Sequence, residues 1–283
     1  MSSFFSTIKV SGWTLASRLM GLFRDIATTN LLGASVFHDI FIVVLKIPNV
    51  FRRFFAEGAF SLAFIPIYKS LLSNKKSDEA AEFINSLLGL MLLILFIFTL
   101  LALIFAPILI FLFAPGFYFD ADNKSLAVDI LRIMFPYLAL VSLVSFAAGI
   151  QNSHNYFSIP AATPLIFNVI LIIFAIFISD YFTIPVFALA WGVLLAGFVQ
   201  LFIQVFPLRR IGISLKINFR FSNPNILKFK LLILPAILAG GVTQINLLID
   251  TIFASLLATG SPTWLYVSDR LMQFPLGIFA IAI

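Results

Sequence analysis

Cysteine is absent from the 283 residues and histidine occurs only twice. The first absence removes disulfides, thiolate metal sites and cysteine nucleophiles. The second leaves too little material for a histidine-based triad or a transition-metal centre. Charge is scarce as well: Asp, Glu, Lys and Arg make up 11% of the chain, against about 25% in an ordinary soluble domain. The sequence holds no H-E-x-x-H, no G-x-x-x-x-G-K-[ST] and no G-x-S-x-G, so metalloprotease, P-loop and hydrolase-elbow chemistry have no anchor. No cofactor, no metal and no enzyme activity is expected. The net charge of +6 is spread between apolar runs rather than gathered into a nucleic-acid-binding patch.

What is abundant is apolar surface. Hydrophobic residues make up 61% of the chain, 35 residues are Phe, and the mean hydropathy is +1.10. There is too little polar surface to clothe a soluble domain. A helix needs about 20 residues to cross the hydrocarbon core. Eight spans of that order are predicted, near 7–32, 36–70, 82–113, 126–151, 159–179, 183–206, 228–258 and 262–283. The fold class is therefore an all-α, polytopic membrane protein. The first span is not a signal peptide, because Arg18, Arg24 and Asp25 interrupt what should be an unbroken apolar stretch.

The connections set an orientation. With the N-terminus in the cytoplasm, the cytoplasmic loops hold Lys69, Lys75, Lys76, Arg209, Arg210, Lys216, Arg220, Lys228 and Lys230, while the opposite side holds Lys124 beside Asp120, Asp122 and Asp180. That is the positive-inside pattern. A loose internal repeat pairs the first two spans with the last two: an acid, a glycine turn, charges, then a proline, with LKIPNVF set against LMQFPLGIF. It suggests two lobes of six helices in parallel orientation. The expected division is a six-helix lobe over 1–207, a basic cytoplasmic linker over 208–227, and over 228–283 the first two helices of a second lobe, incomplete here because the sequence ends inside an apolar run.

The charged groups at membrane depth carry the functional argument. A charge at a helix centre costs about 2.5–3.5 kcal/mol on insertion scales, so Arg18, Arg24, Arg52 and Arg270 would cost roughly 10–14 kcal/mol together if they faced lipid. A shared polar cavity with acidic partners is cheaper. Arg18 and Asp25 lie seven apart and share a helix face, as do Asp39, Lys46 and Arg53, while Arg53 and Glu57 stand at i and i+4. Pro48 removes a backbone hydrogen bond where helix two could bend. Asp39 begins its helix and is open to a dipole role or to gating. Asp129, Arg132 and Asp250 read as structural, and His154 as a solvated loop residue. Four guanidinium groups suit a pyrophosphate or another acidic headgroup, since each matches phosphate geometry bidentately.

The segments SRLMGLFRD (17–25), DIFIVVLKIPN (39–49), FRRFFAEGAFSLAFIP (51–66) and SDRLMQFPLGIF (268–279) resemble the MurJ (MviN) lipid II flippase family. The resemblance runs along the whole chain and covers about eight of that family's fourteen helices. It implies the multidrug/oligosaccharidyl-lipid/polysaccharide exporter fold. It also implies alternating-access transport of undecaprenyl-pyrophosphate-linked peptidoglycan precursor from the cytoplasmic to the periplasmic leaflet of a bacterial inner membrane. By motif, the substrate-binding arginines would be Arg18, Arg24, Arg52 and Arg270, and the cavity or gating acids Asp25, Asp39, Glu57 and Asp269. The implied partners are lipid II and the phospholipid bilayer, for a monomeric transporter. The alternatives are export of another lipid-linked oligosaccharide or of drugs on the same fold, an enzyme acting on lipid phosphates, and a membrane scaffold.

Overall fold

The computed structural model describes the backbone of residues 2–55 and 59–282, and side chains within these except 2–7, 53–55, 59, 239–243, 247 and 274–282. Twelve α-helices follow one another through the described residues: α1 (Ser2–Leu32), α2 (Val36–Phe55), α3 (Ala59–Ser73), α4 (Ser77–Ile104), α5 (Ala106–Phe113), α6 (Pro115–Tyr118), α7 (Ala121–Met134), α8 (Tyr137–Ser153), α9 (Ser158–Ile173), α10 (Val186–Val205), α11 (Pro224–Ser255) and α12 (Ser261–Ala282). No strand occurs among the described residues. Four continuous stretches are each long and apolar enough to cross a membrane: Ser77–Ile104, Ala121–Ser153, Ser158–Tyr181 and Val186–Ile211. The other expected spans correspond to α1, α2 with α3, α11 and α12, which carry the deep charges. The 31 residues of α1 reach about 46 Å at 1.5 Å per residue. The chain is a multi-pass membrane protein.

Helix ends fall where the local chemistry places them. Asp120 caps α7 by accepting from the Asn123 N–H at 2.8 Å, and Asn223 caps α11 by accepting from the Asn225 N–H at 2.8 Å, with Pro224 in the first turn. The helix therefore starts four residues before the expected start of that span at 228. The expected span 82–113 divides at Phe105, because Pro107 has no N–H to give to the Leu103 carbonyl. That carbonyl accepts instead from Arg132 Nε at 3.4 Å, and Arg132 also faces Asp129 at 3.7 Å. The structural reading of this pair therefore acquires a specific task. His154 lies in the turn after α8 as expected but is half-buried: Tyr68 Oη lies 3.1 Å from its Nε2, and burial pushes its imidazole below the usual range.

Two apolar cores stack along the bundle. One gathers α2, α5, α7 and parts of α9 and α10 around Ile40, Val44, Ile110, Leu131 and Val193. The other gathers α3, the start of α4, the end of α8 and the start of α11 around Phe64, Phe83, Phe146 and Phe229. Between α10 and α11 a 3₁₀ helix over Phe206–Ile211 leads into a stretch without regular structure that lies on α4 through Asn85, whose Oδ1 accepts the Lys216 N–H at 2.8 Å. α11 packs on α2 and α3, and α12 packs on α1 and α2.

Where α6 meets the end of α11 there is no space for a side chain. A Cβ on Gly116 would lie 1.7 Å from the Ser255 carbonyl oxygen, and the Gly116 N–H donates to Ser255 Oγ at 3.2 Å. The atoms such a Cβ would meet, the Ser255 carbonyl and the Leu256 nitrogen, are backbone, so neither can swing aside. Gly116→Val is expected to separate α6 from α11 and to destabilise the chain by about 1–3 kcal/mol. Thermal unfolding in detergent should register the loss, and amide exchange should rise across residues 252–257. Unchanged exchange there would show that the contact is not part of the stable fold.

Candidate functional site

A cavity of about 1600 Å³ opens between α1, α2, α8, α9, α10, α11 and α12. Its wall holds Arg18, Arg24, Arg52 and Arg270, together with Asp25, Asp269, Lys46 and Asp250. The structure thus places all four sequence-predicted arginines and two of the predicted acids around one space. Glu57 lies outside the described residues, as does the side chain of Arg53. Asp39 is buried beside the cavity rather than on its wall. Asp250, which the sequence left as structural, belongs to the wall.

The centre of the wall is a tight cluster joining three helices. Arg24 and Asp25 sit on α1, both buried. Arg24 Nε and Nη2 reach Asp25 Oδ1 at 3.0 and 2.5 Å, Nη1 reaches Asn168 Oδ1 of α9 at 3.0 Å, and Nη2 reaches Tyr266 Oη of α12 at 2.9 Å. Tyr266 donates its hydroxyl to Asp25 Oδ1 at 2.9 Å. Arg270, one turn further along α12, brings Nε to 3.3 Å from both Asp25 Oδ2 and Tyr266 Oη. Asn168 is held in place by donating to the Ser17 carbonyl at 3.0 Å. One carboxylate thus balances two guanidinium groups, and a phenol and an amide complete the hydrogen bonding that a buried charge requires. Arg18, six residues before Arg24, has no acid within ion-pair distance among the described residues.

A second junction lies at the end of the molecule that carries the α1–α2 and α11–α12 turns. The Asp39 carboxylate of α2 accepts three hydrogen bonds from the start of α12: the Gly260 N–H at 2.6 Å, the Thr263 N–H at 2.9 Å and the Thr263 hydroxyl at 2.6 Å. These amides are the unsatisfied donors of a helix N-terminus, where negative charge is favoured. Gly260 has φ +90° and its Cα faces the Ala34 carbonyl, so the two turns touch closely. Asp39 is thus a dipole partner, as its position allowed, but for a helix more than two hundred residues away.

Between these junctions α2 runs on through Pro48, and Asn49 Nδ2 donates to the Leu45 carbonyl at 2.9 Å beside the site that the proline leaves without its helical donor. Tyr266 and Asn168 were not legible as site residues from charge alone. A lone Asn in the apolar run SIPAATPLIFNVILII is the signal that could have found the second.

With this geometry in place, the comparisons with known proteins decide the family. The family model described as lipid II flippase MurJ matches residues 28–283. The chain belongs to the MurJ family. A probable lipid II flippase MurJ of Buchnera aphidicola subsp. Acyrthosiphon pisum is 42% identical over 276 residues, covering 98% of this chain and 54% of the relative. A lipid II flippase MurJ of Burkholderia cenocepacia is 34% identical over 287 residues, covering 100% of this chain and 56% of the relative. A solved structure of lipid II flippase MurJ in an inward closed conformation aligns with a TM-score of 0.81 at 29% identity, over 96% of this chain and 56% of that one. An inward-facing multidrug resistance transporter of the MATE family aligns with a TM-score of 0.58 at 14% identity, over 92% of this chain and 56% of that one, and shows the shared fold alone. The chain spans about half the length of the curated MurJ relatives it matches.

Proposed function

We propose that this chain supplies the first lobe, and the first helices of the second, of a lipid II flippase. Residues 1–207 form that lobe, with the N-terminus and the basic loops on the cytoplasmic side of the bacterial inner membrane. The protein moves undecaprenyl-pyrophosphate-linked peptidoglycan precursor to the outer leaflet by alternating access. It is a transporter and not an enzyme. The observation that carries this reading is the wall of the 1600 Å³ cavity. Its described ionisable residues include five bases, Arg18, Arg24, Lys46, Arg52 and Arg270, against three acids, Asp25, Asp250 and Asp269. The surplus of positive charge suits a di-anionic pyrophosphate, and the planar forks of the arginines suit its oxygens.

The geometry also supports a release mechanism. Asp25 and the Tyr266 hydroxyl occupy Arg24 and Arg270 when no substrate is bound. A pyrophosphate entering at Arg18 would compete with Asp25 for the same guanidinium groups. Binding and release then exchange one set of charge-assisted hydrogen bonds for another, with no buried charge left unpaired. Asp39, clamped on the start of α12, holds the periplasmic end shut while the other end loads.

The test is genetic. This chain fused to the remaining length of a family member should sustain growth of cells depleted of their own lipid II flippase. Arg18→Ala, Arg24→Ala and Arg52→Ala should each abolish that growth while the fusion still inserts, and precursor should accumulate in the cytoplasmic leaflet. If all three variants insert stably and still translocate precursor, the arginines are not its binding site.

A further inference from the structure

The cavity has a second polar wall that carries no charge. α10 reads VFALAWGVLLAGFVQLFIQV, in which Gln200 and Gln204 stand at i and i+4 on one face. Both are buried, and both line the cavity with Pro160, Thr163 and Pro164 of α9. An amide in an apolar core is costly unless hydrogen-bonded, and here the donors are directed inward. Gln204 Nε2 donates to Thr163 Oγ1 at 2.5 Å, and the Thr163 hydroxyl donates on to the Ile159 carbonyl at 2.9 Å. Gln200 Nε2 donates to the Thr163 carbonyl at 2.9 Å. Behind them Gln151 Nε2 donates to both Oε1 and the main-chain oxygen of Gln204, at 2.7 Å each.

Flipping Gln200 would set oxygen against oxygen, so the network fixes which atom of its amide is left over. The remainder consists of acceptors. Oε1 of Gln200, on the cavity wall, is buried and accepts no hydrogen bond; Oε1 of Gln151 is likewise unpaired but lies behind that wall. Pro164 adds to the imbalance, since it cannot donate to the Pro160 carbonyl. A wall with spare carbonyl oxygens repels phosphate and attracts O–H and N–H groups. Thr163 lies five residues from Asn168, the residue that holds Arg24, so along α9 the two walls are about 7.5 Å apart.

Resting on the flippase reading above, we infer that Gln200, with Thr163 and Gln204 and braced from behind by Gln151, forms a neutral recognition site beside the arginines. It receives hydroxyl and amide N–H donors of the sugar–peptide headgroup while the arginines hold the pyrophosphate. The charged cluster recognises any polyprenyl pyrophosphate; the glutamine wall selects the one that carries a headgroup.

Binding to the 283-residue chain in lipid nanodiscs tests this, with three probes: undecaprenyl pyrophosphate, the same lipid carrying its sugar alone, and the same lipid carrying sugar and peptide. The wild type should prefer a headgroup-bearing probe to the bare pyrophosphate. Gln200→Leu should reduce that preference roughly tenfold, about the worth of one hydrogen bond. Arg24→Ala should weaken all three probes alike. Preference lost at the sugar step assigns the wall to sugar hydroxyls, and preference lost only at the peptide step assigns it to peptide N–H groups. A Gln200→Leu protein that unfolds at the wild-type temperature and keeps the wild-type preference overturns the inference, and leaves the arginine reading standing if Arg24→Ala still weakens binding. A wild type that binds none of the probes removes both.

Discussion

Asp25→Ala should lower the stability of the folded chain by about 3–5 kcal/mol, more than any other single cavity substitution. The reason is the charge it leaves behind. Arg24 is buried, and three of its four side-chain partnerships run to or through the Asp25 carboxylate and the Tyr266 hydroxyl that leans on it. Remove the carboxylate and a guanidinium remains in a dry wall with Asn168 as its main acceptor, while Arg270 loses the oxygen 3.3 Å from its Nε. Like charges on α1 and α12 then face each other unscreened. The double variant Asp25→Asn, Arg24→Gln should recover most of the stability, because it removes both charges from the buried cluster. A double-mutant cycle by thermal unfolding in detergent reads this directly. Additive losses, with no recovery in the double variant, would mean that Asp25 and Arg24 do not depend on each other. On the proposed function, transport should not recover in the double variant, since the guanidinium proposed to hold the pyrophosphate is gone; this separates the structural role of the pair from its proposed binding role.

The apolar architecture was largely visible in the sequence, because lipid leaves few alternatives: a run of about 20 apolar residues is a helix or it is nothing. Four of the expected runs overlap stretches long and apolar enough to span, one of them made of α7 and α8 end to end. The deep arginines were visible for the same reason, as their depth has no cheap explanation outside a cavity. Three features were not visible. Phe105 breaks a span because Pro107 frees a carbonyl, yet Arg132, which answers that carbonyl, lies 29 residues away. Asp39 looked local, but its partners are 221 and 224 residues distant. Tyr266, Asn168 and the glutamines of α10 carry no charge, so an argument from the cost of buried charge passes over them. What linear reading misses is which polar group answers which across helices, and in a membrane protein that pairing is where the site resides.

Asp39 allows the sharpest test of motion. Its carboxylate satisfies two backbone donors and one hydroxyl at the start of α12, and a charge-assisted hydrogen bond contributes about 1.5–3 kcal/mol where it persists. In a state where α2 and α12 separate, water would solvate both the carboxylate and the helix end, so only part of that sum distinguishes closed from open. A differential of about 2–3 kcal/mol still moves a two-state equilibrium by roughly 30- to 150-fold. Asp39→Ala should therefore shift the protein towards a state open at the Gly33–Gly260 end. With no cysteine among the 283 residues, a single Cys introduced at Leu257, which lines the cavity near that end, reports access to an impermeant maleimide added on the side of the Gly33 and Gly260 turns. In otherwise unmodified protein the label should react slowly; in Asp39→Ala it should react at least tenfold faster. Asp39→Asn should fall between, because its amide oxygen can still accept one of the three bonds but carries no charge to meet the helix N-terminus. Equal labelling in all three proteins would leave Asp39 as a helix cap with no part in opening. A graded rise would make the carboxylate itself the element that sets the balance between closed and open.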